Sequence, residues 1–459
     1  MAEAPARARR ADVCVVGAGL AGLTAARRLS AAGVKAVVLE ARDRVGGRTY
    51  SVESGGLHLD LGGQWIGPTQ DRMAKLVADL GIETFPTHHA GRKVLFTGDR
   101  RSTYTGDIPS MAPHRLVLLQ ATISRIERLC RRVGAGPEPW TRPDAARWDG
   151  ETLESWARRN IPSRPVRGVM DVAVRTVFGA EAGELSLLYA LSYLAAGGGL
   201  MRVVNIHDGA QERRFTRGAQ SVAVALAAGL GPRVILNAPV RAIDHGGSRV
   251  RVRTDAGDFS ASRVVVAVPP VMAGRLDYAP ALPAPRDELT QRFPMGATIK
   301  LHALYDRAFW RDEGYSGEAL FTGGPVAVVF DNSSPDGARG ALLAFSVGAA
   351  ARRLGAMTAE ARRRTVLDQL VRSFGPRAAE PVAFLEKDWS ADPWTRGCPT
   401  GILPPGVLSV FGPALRPPVG PIHWAGTETA TEWTGYMDGA VQSGERAADE
   451  VLAALGSAG

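Results

Sequence analysis

Val13-Cys14-Val15-Val16-Gly17-Ala18-Gly19-Leu20-Ala21-Gly22 is the stretch that decides the fold. An apolar run over residues 11–16 passes directly into G-x-G-x-x-G, and apolar residues return at helical spacing over 20–32 until Gly33 stops them. A second apolar run over 35–39 ends on Glu40. Strand, glycine turn, helix and strand make a βαβ unit. Within it Gly17 permits the tight turn, Gly19 lets backbone amides approach a pyrophosphate, and Gly22 lets helix and strand pack closely. Leu20 and Ala21 open the helix whose positive end faces the phosphates, and Glu40 can bind ribose hydroxyls. A bare glycine pattern describes a structural turn. Strand, helix and acidic residue in register describe a dinucleotide site.

Outward from this unit, a glycine-dense stretch over 46–67 precedes a helical segment over 70–80. From about 85 to 211 the texture changes to longer helical patterns with Pro and Trp between them, and strand signals return over 233–268, broken by Asp-His-Gly-Gly and Asp-Ala-Gly-Asp turns. A mixed stretch over 293–389 follows, and a helix over 436–455 closes the chain. No internal repeat is visible. The expected class is α/β: a Rossmann-like dinucleotide-binding domain (10–84, 216–290 and 392–455) interleaved with a mixed α+β substrate domain (85–215 and 291–391).

Composition narrows the function classes. The net charge of +9 would suit nucleic acid, but the arginines are scattered over helical stretches with no interleaved aromatics for base stacking, so no nucleic-acid partner is expected. The longest apolar runs fall well short of the roughly 20 residues of a bilayer-crossing helix, so no membrane partner is expected. An Arg pair near the start runs into a strand pattern instead of a secretion signal, and the end, Leu455-Gly456-Ser457-Ala458-Gly459, carries no anchor pattern. Cys14, Cys130 and Cys398 stand at unrelated spacings, giving neither a disulfide framework nor a metal knuckle. A cytoplasmic protein without a metal is expected, and a homodimer is left open.

Glu40-Ala41-Arg42-Asp43-Arg44-Val45-Gly46-Gly47-Arg48-Thr49 resembles the flavin monoamine oxidase family, which follows its ribose-binding glutamate with R-x-G-G-R. The resemblance extends through Leu59-Asp60-Leu61-Gly62-Gly63-Gln64-Trp65, Gly209-Ala210-Gln211, Met295-Gly296-Ala297-Thr298-Ile299-Lys300, Ala425-Gly426-Thr427-Glu428 and Tyr436-Met437-Asp438-Gly439, in that family's order. It implies FAD as cofactor, with Gly47 and Arg48 on its pyrophosphate side and Ala41 and Arg42 as contacts. Gly63, Gln64, Trp65, Val240, Gly426, Thr427, Glu428 and Met437 are implied as further contacts. Arg48 suits phosphate because a planar guanidinium grips oxygens in a fork. The activity implied is oxidation of a primary or secondary amine to an imine, which hydrolyses to an aldehyde or ketone, with O2 reduced to H2O2.

Lysine usage points to the same site. Only Lys35, Lys75, Lys93, Lys300 and Lys387 occur, and Lys300 lies in an apolar, strand-like run where a compact ammonium can hold a water as a guanidinium cannot. In the family this lysine holds a water against flavin N5. The resemblance also makes Tyr436 one wall of an aromatic cage, puts Trp389 beside the flavin ring and Gln211 on the substrate side, and sets Met437, at a helix start, toward the flavin pyrimidine. The second cage position is Pro399 instead of an aromatic residue, which leaves room for a bulkier amine, with Trp394 as a nearby replacement. Cys398 matches the position where some members bond covalently to FAD and others do not. Two rivals stand beside an amine oxidase: an L-amino-acid oxidase or other flavin-dependent desaturase of the same fold, and a non-catalytic flavin-bearing binding protein.

Overall fold

The computed structural model describes residues 8–456, so the expectations about the two chain tips fall in part on 1–7 and 457–459, outside the described residues. A five-stranded parallel sheet carries the first βαβ unit, in the order Val234–Ile235, Ala36–Leu39, Val13–Val16, Arg263–Val266, Ile422–Trp424. Every residue of Val13–Val16 is buried because alternate side chains feed two different cores. Val13 and Val15 pack with Leu23, Val222 and Val441, from the helices Leu20–Ala31, Gln220–Leu230 and Met437–Gly456. Cys14 and Val16 pack with Val252 and Phe259 of a second five-stranded sheet on the other face. Cys14 is thus a packing residue, and burial pushes its thiol up to about 12. The strands of the parallel sheet come from three separate passages of the chain.

A seven-stranded sheet builds the rest of the framework, in the order Ala383–Asp388, Thr298–Tyr305, Gly340–Val347, Val328–Asp331, Tyr315–Phe321, Arg92–Thr97, Arg100–Tyr104. One face, with Ile299, Leu301 and Ala344, packs on Leu354 and Leu370 of the helices Gly348–Gly355 and Ala359–Phe374. The opposite face, with Val328, Phe330 and Phe345, meets Ile206 and Trp65. A helical layer that includes Pro113–Val133, Arg164–Phe178 and Leu187–Ala196 forms a third core, which holds Cys130. Ser186 caps the last of these helices, its Oγ accepting the Tyr189 N–H at 3.2 Å.

The stretch after residue 85 departs from the helical reading. Before the helices begin, Arg92–Thr97 and Arg100–Tyr104 form two strands of the seven-stranded sheet, their pattern obscured by Arg92, Lys93, Arg100 and Arg101. No helix among the described residues is long and apolar enough to cross a membrane.

Candidate active site

Two cavities, of about 490 Å³ and 310 Å³, share Gly63, Cys398, Pro399, Gly435, Tyr436 and Met437 as a common wall. The larger lies at the carboxyl ends of the parallel strands, where Val16, Leu39 and Ala267 line it. Gly17, Gly19, Leu20 and Ala21 form one side of it. Gly17 has φ +101°, and a Cβ there would stand 3.1 Å from the Ala267 carbonyl oxygen. A Cβ on Gly19 would meet nothing within 4 Å, so that side of the turn is open. No side chain caps the helix Leu20–Ala31 and its first turn holds no acid, which leaves its amino-terminal N–H groups to an anion. Gly22 lies behind the cavity, where a Cβ would fall 2.0 Å from the Gly17 carbonyl oxygen.

Glu40, Ala41, Arg42, Gly47, Arg48, Val240, Gly426 and Thr427 also line the larger cavity. Glu40 accepts the Ala18 N–H at 2.7 Å and the Arg42 N–H at 3.0 Å, which fixes its carboxylate at the end of the strand. Arg42 donates to Asp392 at 2.6 Å, and Lys387 reaches the same carboxylate at 3.0 Å. Burial acts to raise Asp392, but Arg42 and Lys387 outweigh it and hold the group at about 2.

Three expected cofactor contacts sit differently. Gln64 and Trp65 line the smaller cavity, because Trp65–Ile66 turns away to pair with Arg213–Phe215. Glu428 lines neither cavity: its buried carboxylate takes the fork of Arg48 at 2.6 and 2.9 Å. The Arg48 fork is therefore aimed at protein, as a buried carboxylate requires, and Arg48 also donates to the Pro399 carbonyl at 2.9 Å.

Lys300, Gln211 and Tyr436 come together in the smaller cavity. Lys300 is 3% exposed, and its Nζ donates to the carbonyls of Asp60 (2.6 Å) and Gly62 (2.8 Å) and to Oε1 of Gln64 (2.5 Å). All three ammonium protons are engaged on protein oxygens, and shedding one would release one of those acceptors. Burial, opposed by the Asp60 carboxylate, pushes Lys300 down to about 7, which brings that loss within reach. Gln211 donates to the Val203 carbonyl at 3.0 Å, while its buried Oε1 has no partner in the protein.

Trp389 lines neither cavity. It is fully buried and donates to the Leu61 carbonyl at 2.7 Å, between the two carbonyls that hold Lys300, so it braces the lysine's support. Tyr436 stands between Tyr193, with ring centroids 6.0 Å apart, and Trp433, at 4.9 Å. Gly435 makes the first contact possible: with φ +85°, a Cβ there would lie 2.3 Å from the Tyr193 hydroxyl. Trp394 lines the larger cavity and does not replace the missing cage wall. Aromatic residues the sequence did not single out, Tyr193, Phe330 and Phe345, do face the smaller cavity. Cys398 borders both cavities, and burial, offset by Arg48 and Lys300, pushes its thiol up to about 11. Among the described residues no cluster of three His, Cys, Asp or Glu could hold a metal.

A glycine-turn dinucleotide cavity opening on an aromatic cavity with a buried lysine defines an oxidoreductase of the α/β dinucleotide-binding class. The sequence profile of the family described as flavin containing amine oxidoreductase matches residues 20–452. A probable flavin-containing monoamine oxidase A of Dictyostelium discoideum is 40% identical over 96% of this chain and 97% of its own length. Amine oxidase [flavin-containing] B of Sus scrofa is 36% identical over 97% and 87%. Wild-type putrescine oxidase bound to putrescine superposes with a TM-score of 0.94 at 35% identity, covering 97% of this chain and 100% of that one. Cyclohexylamine oxidase from Brevibacterium oxydans does so with a TM-score of 0.92 at 35% identity, covering 97% and 99%. The chain belongs to the flavin-containing amine oxidoreductase family. It is an FAD-dependent amine oxidase, and amine and O2 are its substrates. The open turn, the uncapped helix and Glu40 fit FAD in the larger cavity.

Proposed function

We propose that this oxidase takes amines with an apolar, hydrocarbon body and holds the amino group between Tyr436 and Gln211. The observation that carries this is the lining of the smaller cavity, where Trp65, Tyr193, Phe330, Phe345 and Tyr436 meet the unpartnered Oε1 of Gln211. Aromatic faces supply apolar area and orient a nitrogen, and Oε1 accepts one amine N–H. Among the described residues no arginine lines this cavity, as an α-carboxylate would require, which argues against an amino-acid oxidase. FAD, when bound, supplies a two-electron acceptor that O2 reoxidises with release of H2O2. In this reading Lys300 serves the oxygen half, Trp389 keeps Lys300 in place, and the residues of the larger cavity hold the cofactor.

Cys398 would hold FAD through a thioether to the flavin ring methyl, a bond for which thiol and methyl would each give up a hydrogen and O2 would take the two electrons. Its position on the wall common to both cavities supports this. The reading also includes a cytoplasmic site, with which three buried free cysteines agree, and a homodimer, which light scattering tests. A peroxide-coupled assay over benzylamine, cyclohexylamine and a set of amino acids tests the substrate class. Turnover of the first two is expected, and turnover confined to amino acids overturns the reading.

A further inference from the structure

Lys93 and Lys300 both line the smaller cavity, and only Lys300 has a part in amine oxidation. Lys93 is 6% exposed, with Nζ 3.1 Å from Oε2 of Glu318 and 3.7 Å from Oδ1 of Asp107. Glu318 is itself 8% exposed, and its second oxygen, Oε1, is buried without a hydrogen-bond partner. An unpartnered buried acceptor on a cavity wall is a place for a ligand's donor.

Sheet register places this cluster far from the chemistry. Lys300 pairs with Phe345, Phe345 with Val328, and Val328 with Leu320. All four line the cavity. Three inter-strand steps of about 4.8 Å separate Lys300 from Leu320, roughly 14 Å in all. Glu318 lies two residues further along that last strand on the same face, and Lys93 is on the neighbouring strand. The cavity floor thus runs from Lys300 at one end to Lys93 and Glu318 at the other.

We infer that Lys93 sets the charge this enzyme accepts at the remote end of its substrate. Its ammonium occupies the place before Glu318 and Asp107 where a second substrate ammonium would sit. A diamine is therefore refused, while an amine with an uncharged tail is taken, including a tail that donates one hydrogen bond to the free Glu318 oxygen. The inference rests on the apolar-amine reading above and names its determinant. Lys93 repels a second ammonium and already occupies the facing oxygens of Glu318 and Asp107, whereas its removal leaves two carboxylates to receive a cation.

The test compares kcat/KM for n-alkylamines and their α,ω-diamines, from four to twelve carbons, in wild type, Lys93→Met, Lys93→Arg and Lys93→Met with Glu318→Gln. At pH 9 Glu318, which burial raises to about 7 against the pull of Lys93, is ionised. In wild type the monoamine should lead its matched diamine by about 100-fold or more, and Lys93→Met should narrow that lead at least about tenfold, mainly through KM. Lys93→Arg should keep the wild-type ratio, and Glu318→Gln should cancel much of the gain. Flavin absorbance per chain shows whether each variant has folded. An unchanged ratio in flavin-loaded Lys93→Met, or a wild type that prefers diamines, overturns the inference. A wild type that oxidises no alkylamine at all fails the apolar-amine reading instead.

Discussion

The Arg48 guanidinium is forked on the Glu428 carboxylate, at 2.6 and 2.9 Å, directly behind the wall that divides the cofactor cavity from the amine cavity. Burial acts to raise the Glu428 pKa, and the charge and hydrogen bonds of Arg48 more than reverse it, so the pair is ionic. Arg48→Met strands a buried carboxylate and should cost about 3 to 5 kcal/mol, whereas Arg48→Met combined with Glu428→Met should recover most of that. Thermal midpoints of the purified proteins check the order. Because the folded pKa of Glu428 lies below the ordinary 4.5, its contribution is fully present above that value and is lost as the pH falls through the folded pKa.

Tyr436 gives a second expectation. Its ring borders both cavities and is braced by Tyr193 and Trp433. Tyr436→Leu removes the aromatic face but keeps apolar bulk. An aromatic face is worth about 0.5 to 2 kcal/mol to an amine, so KM should rise roughly 2- to 30-fold, with anaerobic flavin bleaching slowed and the oxygen reaction little changed. An unchanged KM would remove Tyr436 from the amine's path.

The parallel sheet and its glycine turn were legible because local pattern determines them, a strand with period two and a helix with period 3.6, while Lys300 stood out as a lysine in an apolar run and Tyr436 and Gln211 were named only through the family resemblance. What stayed hidden depends on partners distant in sequence. Glu428 looks like a cofactor contact until the fold brings Arg48 to it across 380 positions. Nothing near Trp389 in the sequence shows that its indole is bonded to the Leu61 carbonyl, 328 positions away. Lys93 carries no local signal, and only pairing with Glu318 on a neighbouring strand makes it a wall of the amine cavity. Tyr193 sits in a helix so apolar that nothing marks one face as functional.

Cys398 allows a direct chemical test. If it is bonded to the flavin, acid precipitation should leave the yellow colour in the pellet of wild type and release it to the supernatant in Cys398→Ala. The high thiol pKa, near 11, means the sulfur reacts only with help, and Arg48 and Lys300 both act to lower it. Lys300→Met should therefore slow the growth of bound colour when apoprotein is reconstituted with FAD. A yellow wild-type supernatant rules out the bond.

Lys300 carries the last prediction, and its sign follows from burial. Below about 7 the ammonium is charged in both folded and unfolded chains, and its desolvation costs the fold in full. From about 7 up to the ordinary 10.5 the folded protein has shed the proton while the unfolded chain keeps it, so stability rises with pH across that window and is level above it. Lys300→Met has no such proton to lose, so the thermal midpoint of wild type should climb relative to the variant between pH 7 and 10, and the variant should reoxidise its flavin with O2 at least about tenfold more slowly. Loss of that proton removes a positive charge from the amine cavity and releases one of the three acceptors, so the wild-type oxygen reaction should change across pH 7 where that of Lys300→Met does not. Parallel pH profiles together with undiminished peroxide output would show that the lysine only holds Asp60, Gly62 and Gln64 together.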